Sequence, residues 1–134
     1  MTNLFIKIVN ILKADVTLTA IVPATQIFVG PVDVTVETQA QLLMPQINLF
    51  MVSEVTRTVP KNVKDTTFQI SIWSRNSQLE VETMYERILT LLNYLVADQS
   101  TNHIFWERSS GAVDDFEADR RVWHRSVTFT AWVQ

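Results

Sequence analysis

Two histidines are the first candidates for chemistry, because imidazole is a common metal ligand and proton carrier. His103 and His124 lie on either side of a possible turn near residues 113–114, so a hairpin there would place them nearly opposite each other. With a carboxylate such as Glu107 they could ligate zinc. No third ligand is fixed by close spacing, and a solvated cross-strand pair explains the same pattern. We therefore predict no metal site.

Acidic residues form a second cluster, at Asp114, Asp115, Glu117 and Asp119. Paired carboxylates can do acid–base chemistry or hold a divalent cation. Catalytic carboxylates need burial or a fixed partner to shift their pKa. These residues follow Gly111 in a polar stretch, which favours a solvated acidic loop.

A serine nucleophile is the third possibility, since Ser109 and Ser110 are close in sequence to His103. Neither serine lies on a strand-to-helix turn of the kind that presents a nucleophile. The sequence has only two glycines, Gly30 and Gly111, which excludes a glycine-rich phosphate loop. An oxyanion loop beside the serines would also need glycines that the sequence does not have. We predict no enzymatic activity, no catalytic residue and no cofactor.

The composition is that of one globular domain covering residues 1–134, with 47% hydrophobic and 19% charged residues. The absence of cysteine excludes disulfides and thiolate metal sites. The net charge of -3 argues against a protein whose main function is to bind nucleic acid. No apolar run approaches the roughly 20 residues that span a bilayer. The opening residues lack the pattern of a secretory signal, so we expect a protein made in the cytoplasm without membrane association.

Helical periodicity and caps predict the first half of the chain. We expect a helix over about 3–13 and a one-turn helix capped by Asp15 that ends before Pro23. A short strand at 26–29 ends at Gly30. Residues 31–44 have few periodic apolar positions, which predicts a long loop or extended arm.

Alternating apolar and polar residues predict a hairpin next, with strands over about 46–57 and 65–74. In the first strand, Ile47, Leu49, Met51 and Val55 are expected to share one half-buried face. Ser77 and Glu80 form a capping box that begins a long helix over about 77–97. Strands near 102–108 and 120–133 are expected to pair as a second hairpin. The fold class is therefore α+β: a mixed or antiparallel sheet of about four to five strands, with one long and one or two short helices packed on one face.

Large apolar side chains on both sides of these elements are the most informative feature. Trp73 falls on the strand face opposite Phe68, Ile70 and Ile72, and a domain of this size has one core. A layer formed by residues 31–44 would cover such residues, and so would a neighbouring subunit with aromatic anchors. Our candidates for a subunit interface are Trp73, Tyr94, Leu95, Trp106, Trp123 and Trp132.

Three basic residues, Arg57, Lys61 and Lys64, mark the tip of the first hairpin. Such a group usually serves solubility. It could also contact an acidic partner surface or the backbone of passing DNA.

The order of several segments resembles the tail terminator family of long-tailed bacteriophages, also called tail completion or tail-to-head joining proteins. The resemblance covers most of the chain. It rests on the opening helix followed by Lys13–Leu18, on Ile27–Pro31, on Phe68–Ser74 leading directly into the long helix, and on the acidic stretch before Trp123–Phe129.

The resemblance implies a structural virion protein at the head–tail junction. Members of the family form hexameric rings on the head-proximal end of the tail tube, stop its polymerisation and join the tail to the head connector. The implied partners are further copies of the chain, the tail tube protein and the connector or neck proteins, with DNA passing through the lumen without specific binding. Arg57, Lys61, Lys64 and the 31–44 segment become candidates for contacting tube or connector.

Two other functions remain open at this point. One is a different neck or minor tail ring protein of the same particle. The other is a small ligand-binding or regulatory α+β domain whose surplus apolar residues line a pocket. An enzyme ranks third, because no ordered set of catalytic residues is present.

Overall fold

Two helices at the start of the chain form where the sequence predicts them. In the computed structural model, which describes residues 2–30, 44–56, 64–92, 104–108, 113–117 and 122–133, helix α1 spans Thr2–Ala14 and helix α2 spans Val16–Thr19. Ile8 and Leu12, one turn apart on α1, are fully buried. Asp15 caps α2, because its carboxylate accepts a hydrogen bond from the Leu18 amide at 2.9 Å.

The strands form one mixed sheet. They are β1 (Ile27–Val29), β2 (Gln46–Thr56), β3 (Lys64–Ser74), β4 (Ile104–Arg108), β5 (Val113–Glu117) and β6 (Val122–Val133). The order across the sheet is β1-β2-β3-β6-β4, and β5 also pairs with β6. Among the described strands, β1 and β2 pair in parallel, and the other four pairs are antiparallel. The predicted α+β class and mixed sheet are confirmed, as is the hairpin of β2 and β3.

Strands β4 and β5 lie one after the other along the same side of β6. Arg108 of β4 is opposite Phe129, and Val113 of β5 is opposite Ser126. The predicted pairing of the last strands holds for β4 and β6. The predicted acidic loop is wrong for Asp114, Asp115 and Glu117, which belong to β5.

The third helix, α3, spans Gln78–Leu92, and residues 93–97 of the predicted helix lie outside the described part of the chain. Ser77 caps it, because its Oγ accepts from the Glu80 amide at 3.1 Å. The reciprocal half of the predicted capping box is replaced. The Glu80 carboxylate instead accepts from Ser74 Oγ and from Asn76 Nδ2, both at 2.9 Å.

The core lies between the helices and one face of the sheet, which we call the inner face; the opposite face is the outer face. Phe68 lies at the centre, stacked on Phe129 with ring centroids 5.6 Å apart and edge-on to Phe5 of α1 at 6.2 Å. Both Phe68 and Phe129 are fully buried. The other members of the core come from both layers and include Leu12, Leu18, Ile47, Leu49, Ile70, Met84, Ile88 and Val127.

Candidate assembly surface

The ladder partners of His124 differ from those that the predicted hairpin implies. His124 lies opposite Asp115 on one side and opposite Trp73 on the other, so its ladder partners are not His103. His103 itself lies outside the described residues, as do Ser109 and Ser110. Within the described ranges, no three His, Asp or Glu side chains come close enough together to hold a metal ion.

Asp114 is held by a specific ion pair. Its Oδ2 accepts from Arg125 Nη2 at 2.9 Å and from Gln78 Nε2 at 3.4 Å, and its Oδ1 accepts from Arg125 Nε. The Arg125 guanidinium also lies 4.8 Å from the centre of the Tyr85 ring. The hydrogen bonds from Arg125 hold the pKa of Asp114 below its ordinary value, although desolvation opposes the shift. The carboxylate therefore fastens β5 to β6 and to the start of α3.

A second carboxylate, Asp15, is used in the same way. Arg87 of α3 donates to it through Nε at 2.8 Å and Nη2 at 2.6 Å, a bidentate contact. The hydrogen bonds from Arg87 lower the pKa of Asp15. Asp15 thus caps α2 and connects it to α3. Both carboxylates are bound in their ionised form, which suits a fixed scaffold and does not suit a proton donor near neutral pH.

Trp73 has its contacts within its own chain. Its Nε1 donates to Asn48 Oδ1 at 3.0 Å, and Asn48 Nδ2 donates to the Gly30 carbonyl at 3.0 Å. Its ring stacks on His124 at 3.7 Å between centroids. Only 9% of Trp73 is exposed, so little of it remains for a neighbour to contact. Its place in a subunit interface stays a prediction.

The other predicted interface residues are spread over the fold. Trp123 packs against the core and against Phe116, with ring centroids 4.4 Å apart. Trp106 occupies the β4 position opposite Ala131, and Trp132 the β6 position opposite Asp65 and Phe105; for these two tryptophans the structure describes the backbone only. Tyr94 and Leu95 lie outside the described residues.

The predicted basic tip is described only at its border. Lys64 is the first residue of β3, opposite Thr56 and Val133. Arg57, Lys61 and the 31–43 part of the predicted arm lie outside the described residues. Contacts of these segments with tube or connector remain predictions.

The sequence reasoning missed an exposed apolar strip on β2. Met51, Val52 and Val55 are 38%, 55% and 59% exposed. Alternation predicted that Met51 and Val55 share a half-buried face with Ile47 and Leu49, but only the latter two are buried. A register shift between Met51 and Ser53 inserts Val52 as a bulge, which puts Val55 opposite Asp65 and on the other face from Ile47 and Leu49. Met51 precedes the bulge and lies opposite Phe68, so the bulge does not explain its exposure.

Comparison with known proteins identifies the family. The sequence matches the family described as "Tail completion protein gp17" over residues 6–134. The chain belongs to this family. The resemblance in the sequence is thereby confirmed, and with it a place in the virion at the head–tail junction. Tail completion proteins are structural proteins of the phage tail.

A solved structure has the same fold. A chain from a structure titled "Virion of native gene transfer agent (GTA) particle" superposes with a TM-score of 0.68, covering 97% of this chain and 93% of that one at 14% identity. At that identity the likeness concerns the fold. No curated protein matches the sequence. None of the described helices is long and apolar enough to cross a membrane.

Proposed function

We propose that this tail completion protein forms a ring that caps the head-proximal end of the tail tube. The ring stops tube polymerisation and offers a different surface to the head connector. The observation that carries the proposal is the family match over residues 6–134. The similarity of fold to a chain of a gene transfer agent virion supports it.

The role we propose is structural and not enzymatic. Asp15 and Asp114 are each bound to an arginine, and both ion pairs fasten one secondary-structure element to another. A capping protein requires such rigidity, because its two faces must match two different partners at fixed positions.

The partners we propose are further copies of the chain, the tail tube protein and the connector or neck proteins. The ring we propose has six copies, the number that the resemblance to tail terminator proteins implies. DNA passes through the lumen without specific binding, which agrees with a net charge of -3. The 31–44 segment and the Arg57/Lys61/Lys64 tip are the proposed contacts to tube or connector.

Native mass spectrometry of the purified chain, alone and mixed with its tail tubes, tests the proposal. We expect rings of six copies, free or bound to one tube end. A chain that stays monomeric at micromolar concentration both alone and with tubes would refute the ring. Rings that bind the connector but never the tube would identify a different neck protein of the same particle.

A further inference from the structure

Two borders of the domain carry opposite charge. Helix α1 contains two lysines and no acidic residue within Thr2–Ala14, and it packs on the border strand β1. Helix α3 and strand β5 contain three acidic residues each, and Gln78 of α3 donates to Asp114 of β5. Arg125 pairs with Asp114 and lowers this surplus by one charge. We call α1 with β1 the basic border, and α3 with β5 the acidic border.

The outward flank of α1 is formed by Ile6 and Lys13. Seven residues separate them, and a rotation of about 100° per residue places both on the same side of the helix. Both are exposed, Ile6 to 49%. Ile11, about 140° further round the helix than Ile6, packs against the core. Since α1 contacts both β1 and α3, the flank with Ile6 and Lys13 faces the β1 side, away from α3.

The flanks of α3 are identified by two side-chain contacts. Gln78 bonds to Asp114 of β5, and Arg87, about half a turn round the helix from Gln78, bonds to α2. Glu82 lies one turn after Gln78, and Glu86 one turn after Glu82. Both glutamates are exposed. The exposed negative charge of α3 therefore lies towards β5.

Exposed apolar side chains accompany the charges on both borders. Val29 of β1 is 50% exposed, on the same border as Ile6. Phe116 of β5 is 43% exposed on the acidic border. Its ring packs on Trp123, one of the residues predicted for a subunit interface. Apolar contact with charged residues around it is the usual composition of an interface between proteins that also fold alone.

The two borders lie at the same height along the strands. One row of the sheet begins at Ile27 of β1 and ends at Asp114 of β5, and the next row joins Phe28 to Val113. A second copy, rotated about an axis close to the strand direction, would bring its β5 beside β1 without a rise. Its β4 would face residues 51–56 of β2 across the width of β1, so the strands do not overlap. Level contacts of this kind can close into a ring.

We propose that neighbouring copies join through the basic border of one copy and the acidic border of the next. The proposal rests on the proposed ring and specifies its subunit contact. A second copy is the partner that fits, because each chain brings both halves of a complementary pair. Side chains form the contact without a shared ladder, since β1 has three residues and β5 is acidic, and both features protect an edge from pairing.

Charge reversal of one border at a time tests the contact. Lys13→Glu reverses the basic border and Glu82→Lys the acidic one, with Glu86→Lys as a second acidic-border variant. Each should raise the protein concentration at half ring formation about tenfold, because like charges then meet at every junction. Thr83→Lys is the matched control, since Thr83 is exposed and lies about 100° further round α3 than Glu82. It should form rings like the unmodified chain in sedimentation velocity, and circular dichroism confirms folding of every variant.

Mixing the two reversed proteins gives the decisive result. Alternating copies of Lys13→Glu and Glu82→Lys restore opposite charges at every junction of an even-numbered ring. A one-to-one mixture should therefore form rings at the concentration of the unmodified chain, although neither variant does so alone. With an affinity tag on one variant, native mass spectrometry should show equal numbers of both in each ring.

Salt tests the same contact without any substitution. Raising sodium chloride from about 0.05 M to 0.5 M screens charges beyond a few ångströms, so the concentration at half ring formation of the unmodified chain should rise several-fold. An unchanged or lower concentration would contradict the proposal.

The remaining outcomes separate the contact from the ring. Single variants that form rings like the unmodified chain, or a mixture as poor in rings as its components, would overturn the proposal and leave the capping function intact. Loss of tube binding by Glu82→Lys with unchanged rings would assign the acidic border to the tube and overturn it as well. An absence of rings in the unmodified chain with tubes would refute the ring itself.

Discussion

Replacing Asp114 by asparagine should destabilise the protein by removing the counter-charge of Arg125. The Arg125 side chain is 9% exposed and Asp114 is 42% exposed. Breaking a fully buried pair costs about 3–5 kcal/mol, and an exposed pair is worth about 0–1 kcal/mol. Water reaches the Asp114 side of this pair, which places the expected loss at about 2 kcal/mol, between those limits.

The expected change is large enough to measure by thermal unfolding. With about 2.1 cal/mol/K of unfolding entropy per residue and 134 residues, a loss of ~2 kcal/mol lowers the Tm by roughly 7 °C. Differential scanning calorimetry at pH 7 gives both the Tm and the enthalpy. Asp115→Asn is the matched control, because Asp115 is the next residue of β5 and is exposed. Equal Tm changes in the two variants would refute the role given to the ion pair.

The pH dependence of the same pair has a defined sign. Arg125 lowers the pKa of Asp114 in the folded state below the unfolded value of about 3.9. The stabilisation is therefore complete above that unfolded value and is lost as the pH falls through the folded pKa. The Tm difference between the unmodified protein and Asp114→Asn should be constant from pH 7 to 5 and shrink below pH 4. A difference that grew on acidification would contradict the assignment.

Two further substitutions test the fold itself. Gly30→Ala should cost about 1–3 kcal/mol, because Gly30 has φ +112° and an added Cβ meets no atom within 4 Å, so backbone strain is the only term; an unchanged Tm would contradict this. Phe68→Ala should cost about 3–5 kcal/mol in urea unfolding, since Phe68 is fully buried between Phe5 and Phe129. Phe50→Ala on the outer face, where Phe50 is half-buried, should cost clearly less.

Local sequence signals predicted the features that depend on neighbours in the chain. Asp15 caps α2, Ser77 begins α3, and the alternation of Phe68, Ile70 and Ile72 defines the buried face of β3. Each depends on residues a few positions apart. The fold class and the order of the helices and strands other than β5 follow from these signals.

Features that depend on distant residues could not be predicted in the same way. Asp114 and Asp115 are residue types that strands usually disfavour, and the polar stretch around them predicts a loop. Its strand conformation comes with the pairing to β6 and the ion pair to Arg125. The bulge at Val52 has no signature in the sequence, and it moves Val55 out of the predicted buried face.

Electron microscopy of particles made without this chain tests the capping function most directly. If the chain ends tube growth and joins tail to head, its removal should give heads without tails and free tails of irregular, often excessive length. Supplying the chain should restore tails of one length attached to heads. Tails of normal length joined to heads in its absence would contradict the account.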